Sequence, residues 1–491
     1  MNVAGQKMRE QIMQLEQHIV DPKESTLRNG FHLMPPIGWM NDPNGLCQLD
    51  DQYHVFFQYA PYDAKGSGPK GWGHYRTKDW CQYEYMSVSF LPDEEFDRNG
   101  VYSGSSFIDE NGMHLFYTGN VKLPGNHDYT TSGRLADTVL VESLDGIHFG
   151  KKEVVIPTVQ YPDGLSCHVR DPKVWKENGY YYMILGARTM QDKGEVLLYR
   201  SADMRQWQLC KVATTQEAFG YMWECPDLCT FLDGQILSVS PQGLQVQEDR
   251  YQNQYQTGYF ILPDRITHYK EKCVIIDENS FCEWDKGFDF YAPQTFVDGQ
   301  GRRILIGWAG MPDADYQNPE AEKEGWQHCL TVPRRITLKI NPHTRQQAVY
   351  QEPILELEQL RTGECITVTQ KETVFTSDYM DLLCYELPDA FEIIIADGVG
   401  LQYRDGWIQL SLTEECGCGR DVRKTRIEEI HSLRILIDSS ILEIYLNDGE
   451  MVFTTRYYKK EQGIRLQVSC TESMILAYPM QAVTIRSFED I

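Results

Sequence analysis

The chain has 491 residues, 42% of them hydrophobic and 24% charged, which is an ordinary globular balance but too long for one core, so two domains are expected. A formal net charge of −25 excludes nucleic-acid binding by bulk electrostatics and leaves room for a local basic pocket. Aromatic residues reach 12%, with 29 Tyr and 10 Trp, favouring β-structure and stacking surfaces, although packed β cores also take aromatics.

The first 20 residues, "MNVAGQKMREQIMQLEQHIV", lack the continuous apolar core of a signal peptide. Charge and hydrophobe alternate there at roughly helical spacing, so a short amphipathic helix is expected within an extension over residues 1–29. No apolar run approaches the ~20 residues needed to span a membrane. The 14 cysteines are scattered and read as reduced thiols of a cytoplasmic protein. The close pairs Cys225/Cys229 and Cys416/Cys418 lack a second pair or a His cluster at zinc-site spacing, so no metal is expected.

Residues 38–45 read "GWMNDPNG". Pro, Asn, Asp and Gly make this a β-turn by composition, yet Trp39 and Met40 flank it, and exposed turns seldom carry such residues. The same plan then recurs. "DPNGLCQLDDQYHVFFQY" from Asp42, "SGSSFIDENGMHLFYTG" from Ser103, "DPKVWKENGYYYMILGA" from Asp171, "CPDLCTFLDGQILSVSP" from Cys225 and "APQTFVDGQGRRILIGW" from Ala292 each place a Pro- or Ser-containing turn before two apolar strands. Their starts are spaced by roughly 55–70 residues, longer than the ~40–50 of common propeller repeats and roomy enough for four strands with functional loops. A second echo, "TKDWCQY" at Thr77, "SLDGIHF" at Ser143 and "SADMRQW" at Ser201, would open an outermost strand. The expectation is a five-bladed β-propeller over residues 30–352.

From about residue 353 to 491 short alternating strands with turn signals follow, among them "LRILIDSSILEIYLNDGEMVFTTRYY" with an Asn447–Gly449 hairpin, as in a β-sandwich. That segment has no clustered catalytic set and reads as support or assembly.

In a propeller the residues just before each repeat's first strand converge on one end of the central channel. Here they are Asn41-Asp42, Tyr102-Ser103, Arg170-Asp171, Trp223-Glu224 and Tyr291. Three carboxylates in one funnel cannot all ionise cheaply. That asymmetry suits glycoside cleavage, which needs one protonated and one anionic carboxyl. Glu224, with apolar sequence neighbours Met222, Trp223, Cys225 and Pro226, is expected to hold its proton. Asp42, among turn amides and Asn41, is expected to be anionic. Asp171 follows Arg170, so a lowered pKa and a fixed, charge-stabilising role are expected.

In this order "WMNDPNG", "YSGSS", "VRDP" and "WECPDL", with "DSSILEIYLNDG" near the end, resemble the invertase (β-fructofuranosidase) family of glycoside hydrolases. The resemblance implies an all-β chain, a five-bladed propeller followed by a β-sandwich, and a retaining mechanism releasing fructose. It implies Asp42 as nucleophile, Glu224 as acid/base and Asp171 as transition-state stabiliser, with the Asp42 and Glu224 carboxyls about 5–5.5 Å apart. It also implies a fructose pocket from Asn41, Gln58, Tyr102, Ser103, Arg170 and Trp308, with Trp39, Trp72 and Tyr291 as walls. Where many relatives carry Trp-Gly-Pro before "WGH", this chain has Ser67-Gly68-Pro69.

An intracellular enzyme of this kind commonly meets sucrose 6-phosphate, and Lys70, His74, Arg76 and Arg188 are the cations expected to hold its phosphate. Sucrose or fructo-oligosaccharide hydrolysis and fructosyl transfer are the competing readings. The expected partner is a sugar alone, without cofactor, nucleic acid or membrane, and a homodimer is compatible with the chain.

Overall fold

A computed structural model of the protein describes residues 2–17, 25–469 and 472–487. An N-terminal helix, Val3–Glu16, is capped by the Asn2 side chain, which accepts from the amides of Ala4 and Gly5. Residues 18–20 of the stretch expected to be helical lie outside the described residues.

Five antiparallel sheets follow in chain order, each a blade whose successive strands run outward. Blade 1 holds Gly38–Leu49, Gln52–Ala60, Gly71–Thr77 and Gln82–Phe90; blade 2 holds Val101–Asp109, Gly112–Lys122, Arg134–Ser143 and Glu153–Ile156. Blade 3 runs Leu165–Glu177, Tyr180–Thr189, Gly194–Ser201 and Gln208–Thr215, with Cys273–Ile276 added in parallel at its edge. Blade 4 starts with Met222–Phe231 and Gly234–Gln242, and blade 5 with Tyr291–Val297 and Arg303–Ala309. Two six-stranded sheets built from residues 366–479 form the sandwich. The chain then returns to the propeller, where Thr484–Ser487 pairs in parallel with Gln82–Phe90 of blade 1.

The motifs expected to be turns before each blade are inside its innermost strand. Each of those five strands slips register there: at Met40/Pro43 in blade 1, Tyr102/Gly104 in blade 2, opposite Ile184/Gly186 in blade 3, at Glu224/Asp227 in blade 4 and Tyr291/Gln294 in blade 5. These are β-bulges, and a bulge demands what a turn demands: Pro where no ladder donor is required, and a residue able to take positive φ. Pro43, Pro172, Pro226 and Pro293 lie at four of them, and Asp171, Cys225 and Ala292 have φ of 64°, 45° and 46°. In blade 2 Gly104 takes the slip, because a Cβ there would sit 1.9 Å from the Phe116 carbonyl oxygen. The bulge turns the adjoining side chain toward the axis.

Large aromatics wedge the blades together. Trp72 of blade 1 packs on Phe56, Phe90 and Tyr117, the last from blade 2. Trp223 packs among Ile184 and Leu198 of blade 3 and Leu237 and Phe260 of blade 4. A fully buried Trp removes ~150–250 Å² from water, worth about 4–6 kcal/mol before entropy is counted. The recurrent Ser/Thr-x-Asp element is the turn into the outer strand. The Thr77, Ser143 and Ser201 hydroxyls accept from backbone amides two or three residues on, and Asp79, Asp145 and Asp203 each accept from the amides two and three residues beyond themselves.

Sandwich and propeller meet through buried charge. Arg334 of blade 5 donates to Glu443 Oε2 at 2.6 Å and to Asp285 at 3.2 Å, while Arg420 of the sandwich grips Asp289 at 2.8 Å. Asp438 Oδ1 and Oδ2 accept the amides of Gly30, Phe31 and His32, stapling the segment before blade 1 to the sandwich. "DSSILEIYLNDG" is thus an interface element.

Candidate active site

At the axis end of the innermost strands a cavity of about 330 Å³ is lined by Trp39, Asn41, Asp42, Gln58, Lys70, Tyr102, Ser103, Arg134, His168, Arg170, Asp171, Glu224, Tyr291, Trp308, Pro312 and Asp313. All three carboxylates anticipated from the repeat are in it, each carried by the bulge of a different blade.

Asp42 accepts from Ser103 Oγ at 2.5 Å through Oδ2 and from Asn41 Nδ2 at 3.1 Å through Oδ1. Asn41 is itself fixed by the Trp39 indole at 2.9 Å and the Lys70 ammonium at 3.0 Å, both donating to its Oδ1. Burial raises the Asp42 pKa, against the Ser103 and Asn41 hydrogen bonds, and the Glu224 charge adds to the rise. The Ser103 and Asn41 bonds, one to each oxygen, fix the direction of this carboxylate.

Asp171 differs from its sequence expectation. Burial drives its pKa up to about 7; Arg170 opposes this, and the nearby Glu224 and Asp42 charges reinforce it. The reason is geometric. Arg170 spends its guanidinium on Glu224 Oε1, at 2.6 and 3.1 Å, and stands 4.0 Å from Asp171. Asp171 Oδ2 instead accepts the Cys225 amide at 2.9 Å, and its own amide donates to Thr118 Oγ1 at 3.0 Å.

Glu224 also sits in a setting its neighbours in sequence do not describe. Besides Arg170, Gln242 Nε2 donates to its Oε2 at 2.7 Å and the Tyr291 hydroxyl at 2.8 Å. Trp223, the residue next to it, faces the opposite way into the core between blades 3 and 4. Glu224 is therefore held by polar donors, and its carboxyl is oriented by three side chains.

Cys225, which the sequence offers as an apolar neighbour of Glu224 and one of a close pair, lies between two of the carboxylates: its Sγ is 3.6 Å from both Asp42 Oδ2 and Asp171 Oδ2. Burial and those charges push its thiol pKa well up, so it is a proton-bearing donor. Cys229 points instead into the core, beside Thr295 Oγ1 at 3.3 Å, and every described cysteine is a free thiol.

Trp39, Asn41, Gln58, Tyr102, Ser103, Arg170, Tyr291, Trp308 and Lys70 line the cavity. Trp72 does not. It is fully buried behind the wall, and its indole donates to the Tyr102 carbonyl at 3.2 Å. His74 is buried between blades 1 and 2, stacked on Phe56 and 2.9 Å from His54. Arg76 pairs with Glu84 at the outer strand, and Arg188 pairs with Asp192 at 2.6 Å over the Tyr221 ring. None of these three lines the cavity. Arg134 and His168 do, and no motif marked either of them. His168 is kept neutral, its pKa pushed down to about 3 by burial and by Arg170 and Arg134.

The arrangement can perform nucleophilic displacement at an acetal carbon. One carboxylate is aimed by Ser103 and Asn41, one carboxyl is positioned by three side chains, and a third, that of Asp171, is buried in the same cavity. Comparison with known proteins agrees. The family model described as "Glycosyl hydrolases family 32 N-terminal domain" matches residues 32–353 and that described as "Glycosyl hydrolases family 32 C terminal" matches residues 411–483. A sucrose-6-phosphate hydrolase of Bacillus subtilis is 37% identical over 451 residues, covering 88% of this chain and 89% of that protein. The solved structure of a sucrose-6-phosphate hydrolase from Lactobacillus gasseri superposes with a TM-score of 0.84 at 25% identity, covering 96% of both chains. A family 32 β-fructofuranosidase from Bombyx mori gives 0.82 at 28% identity, covering 98% of this chain and 99% of the other. With both of its domains matched and its bulge-borne carboxylates in one cavity, the chain belongs to glycosyl hydrolase family 32.

Proposed function

We propose that the protein hydrolyses the terminal β-D-fructofuranosyl bond of sucrose 6-phosphate, with retention, through a fructosyl-enzyme. The observation carrying the chemistry is the convergence of Asp42, Asp171 and Glu224 on one cavity. Asp42 Oδ attacks the anomeric carbon as Glu224 gives a proton to the departing glycosidic oxygen. Glu224, again a carboxylate, then takes a proton from water as that water displaces Asp42. Asp171 accepts hydrogen bonds from fructose hydroxyls and opposes the positive charge that develops on the ring. The fructose rests on Trp39 and Trp308, whose rings stand 6.0 Å apart at the wall, with Asn41, Gln58, Ser103 and Arg170 as polar contacts.

Support for a phosphorylated leaving group is twofold. The similar proteins from Bacillus subtilis and Lactobacillus gasseri are named for it, and the cavity of this −25 chain carries Lys70 and Arg134. A cytoplasmic location fits free thiols, and no described helix is long and apolar enough to cross a membrane. A similar Bombyx mori β-fructofuranosidase, solved as a mutant in complex with sucrose, favours a second reading, hydrolysis of unphosphorylated sucrose. Steady-state kinetics on both sugars decide: kcat/KM for sucrose 6-phosphate should exceed that for sucrose at least about tenfold, the worth of one charge-assisted contact, and a ratio near one would replace the first reading by the second.

A further inference from the structure

Two cations face each other on blade 2 without an acid between them. Lys122 and Arg134 are direct cross-strand partners in the antiparallel pair Gly112–Lys122 and Arg134–Ser143, so their side chains share one face. Like charges placed directly opposite are destabilising, and a structural role would pair or replace them. Neither forms an ion pair among the described residues. Arg134 donates to the neutral Tyr129 carbonyl at 2.9 Å and Asn120 Oδ1 at 3.1 Å. Both cations lie over the Tyr129 ring, at 5.5 and 5.9 Å from its centroid.

A third cation approaches the same point. Lys70, whose ammonium is 5.4 Å from the Trp39 ring, acts with Lys122 and Arg134 on the Tyr102 phenol. Burial pushes that phenol up, and the three positive charges outweigh burial and lower it. Tyr102, Lys70 and Arg134 all line the cavity, on the side of the axis held by blades 1 and 2. Lys122 does not line it but is exposed beside Arg134, its cross-strand partner. The carboxylates Asp171 and Glu224 come from blades 3 and 4. Asp42 comes from blade 1, near Lys70, and the part of the lining that blade 2 supplies holds Arg134 and no carboxylate.

Resting on the reading that the leaving group is phosphorylated, we propose that Lys122, Arg134 and the Tyr102 hydroxyl form the subsite that binds the 6-phosphate of the departing sugar, with Lys70 between it and the fructose pocket. Arg134 presents a planar fork to two phosphate oxygens, Lys122 supplies a point charge from the solvent side and Tyr102 donates its proton to a third oxygen. The anion removes the repulsion that the cross-strand pair otherwise bears.

The test measures kcat and KM on sucrose 6-phosphate and on sucrose for the wild type, Arg134→Met, Lys122→Met and Arg134→Lys, with inorganic phosphate as a competing probe. Each Met variant should lower the ratio of kcat/KM values, phosphorylated over plain, by about tenfold or more, chiefly through KM for the phosphorylated sugar. Arg134→Lys should keep part of the ratio. Inorganic phosphate should inhibit the wild type competitively and the Met variants more weakly. The thermal midpoint of Lys122→Met should be equal to or above that of the wild type, since a repulsive pair is removed. A high wild-type ratio that survives in the Met variants overturns the subsite alone, as do equal losses on both sugars. A wild-type ratio near one overturns the substrate reading and the subsite with it.

Discussion

Arg170 donates twice to one oxygen of Glu224, Nη2 at 2.6 Å and Nε at 3.1 Å from Oε1, leaving Oε2 to Gln242 and Tyr291. A carboxyl held at both oxygens is fixed in direction, as proton delivery to a leaving oxygen requires. Glu224→Gln should therefore lower kcat on sucrose by about 10²–10⁴. On a fructoside whose leaving group needs no protonation the loss should be much smaller. Equal losses on the two substrates, measured by initial rates, would remove the acid role.

Asp42 is aimed by Ser103 and Asn41 rather than by turn amides, so its replacement by Asn tests chemistry with little change of shape. Asp42→Asn should lose at least about a thousandfold in kcat, because no other group can form the covalent intermediate. Its circular dichroism and thermal midpoint should stay close to those of the wild type. Activity within tenfold of wild type in a pure sample would sink the nucleophile assignment.

The blades were legible because each repeat carries the same apolar pair of strands, and the carboxylates because they recur at one position of it. What the repeat does not reveal is parity. A bulge adds one residue to a strand and switches which face the following side chains occupy, so strand alternation around Trp72 and Glu224 could not say which points at sugar and which at core. Residue types do not separate a Pro-containing bulge from a turn, since both ask for the same backbone. Proximity in sequence does not reveal position either. His74 and Arg76 follow Lys70 closely, yet a strand advances about 3.3 Å per residue, which carries Arg76 roughly 20 Å out along the blade. Arg134 and His168 were invisible for the opposite reason, since only the closing of blades 2 and 3 around the axis brings them to Lys70.

Asp171 gives the cavity a measurable pH signature. Its folded pKa of about 7 stands above the ordinary 3.8, so between those values the folded state binds more protons than the unfolded one. Stability then falls as pH rises through that window. Asp171→Asn keeps an acceptor for the Cys225 amide and removes the buried charge. The variant should be the more stable protein at pH 7 by on the order of a few kcal/mol, with the difference shrinking toward pH 4. It should also be much less active. Denaturant unfolding of both proteins at pH 4 and 7 checks this, and a difference that does not change with pH would refute the buried-charge account.

His32 ties the two domains through both ring nitrogens, 2.9 Å from Asp438 Oδ2 and 2.9 Å from Glu443 Oε1, with all three side chains out of solvent. Burial alone would lower its pKa; the two carboxylates outweigh it and raise the value above 6.5. Burial would raise Glu443, and Arg334 and His32 instead hold it at about 2. The signs are opposite. The stability due to His32 is complete below 6.5 and is lost as pH climbs through its raised folded value. That due to Glu443 is complete above 4.5 and is lost as pH drops toward 2. The interface should be strongest between about pH 4.5 and 6.5. Removing the shared counter-charge with Arg334→Met leaves Glu443 and Asp285 buried without it and should cost about 3–5 kcal/mol. In the wild type, unfolding free energy followed from pH 5 to 9 should decline above 6.5, and His32→Gln should flatten that decline. Parallel curves for the two proteins would show that the imidazole carries no charge between the domains.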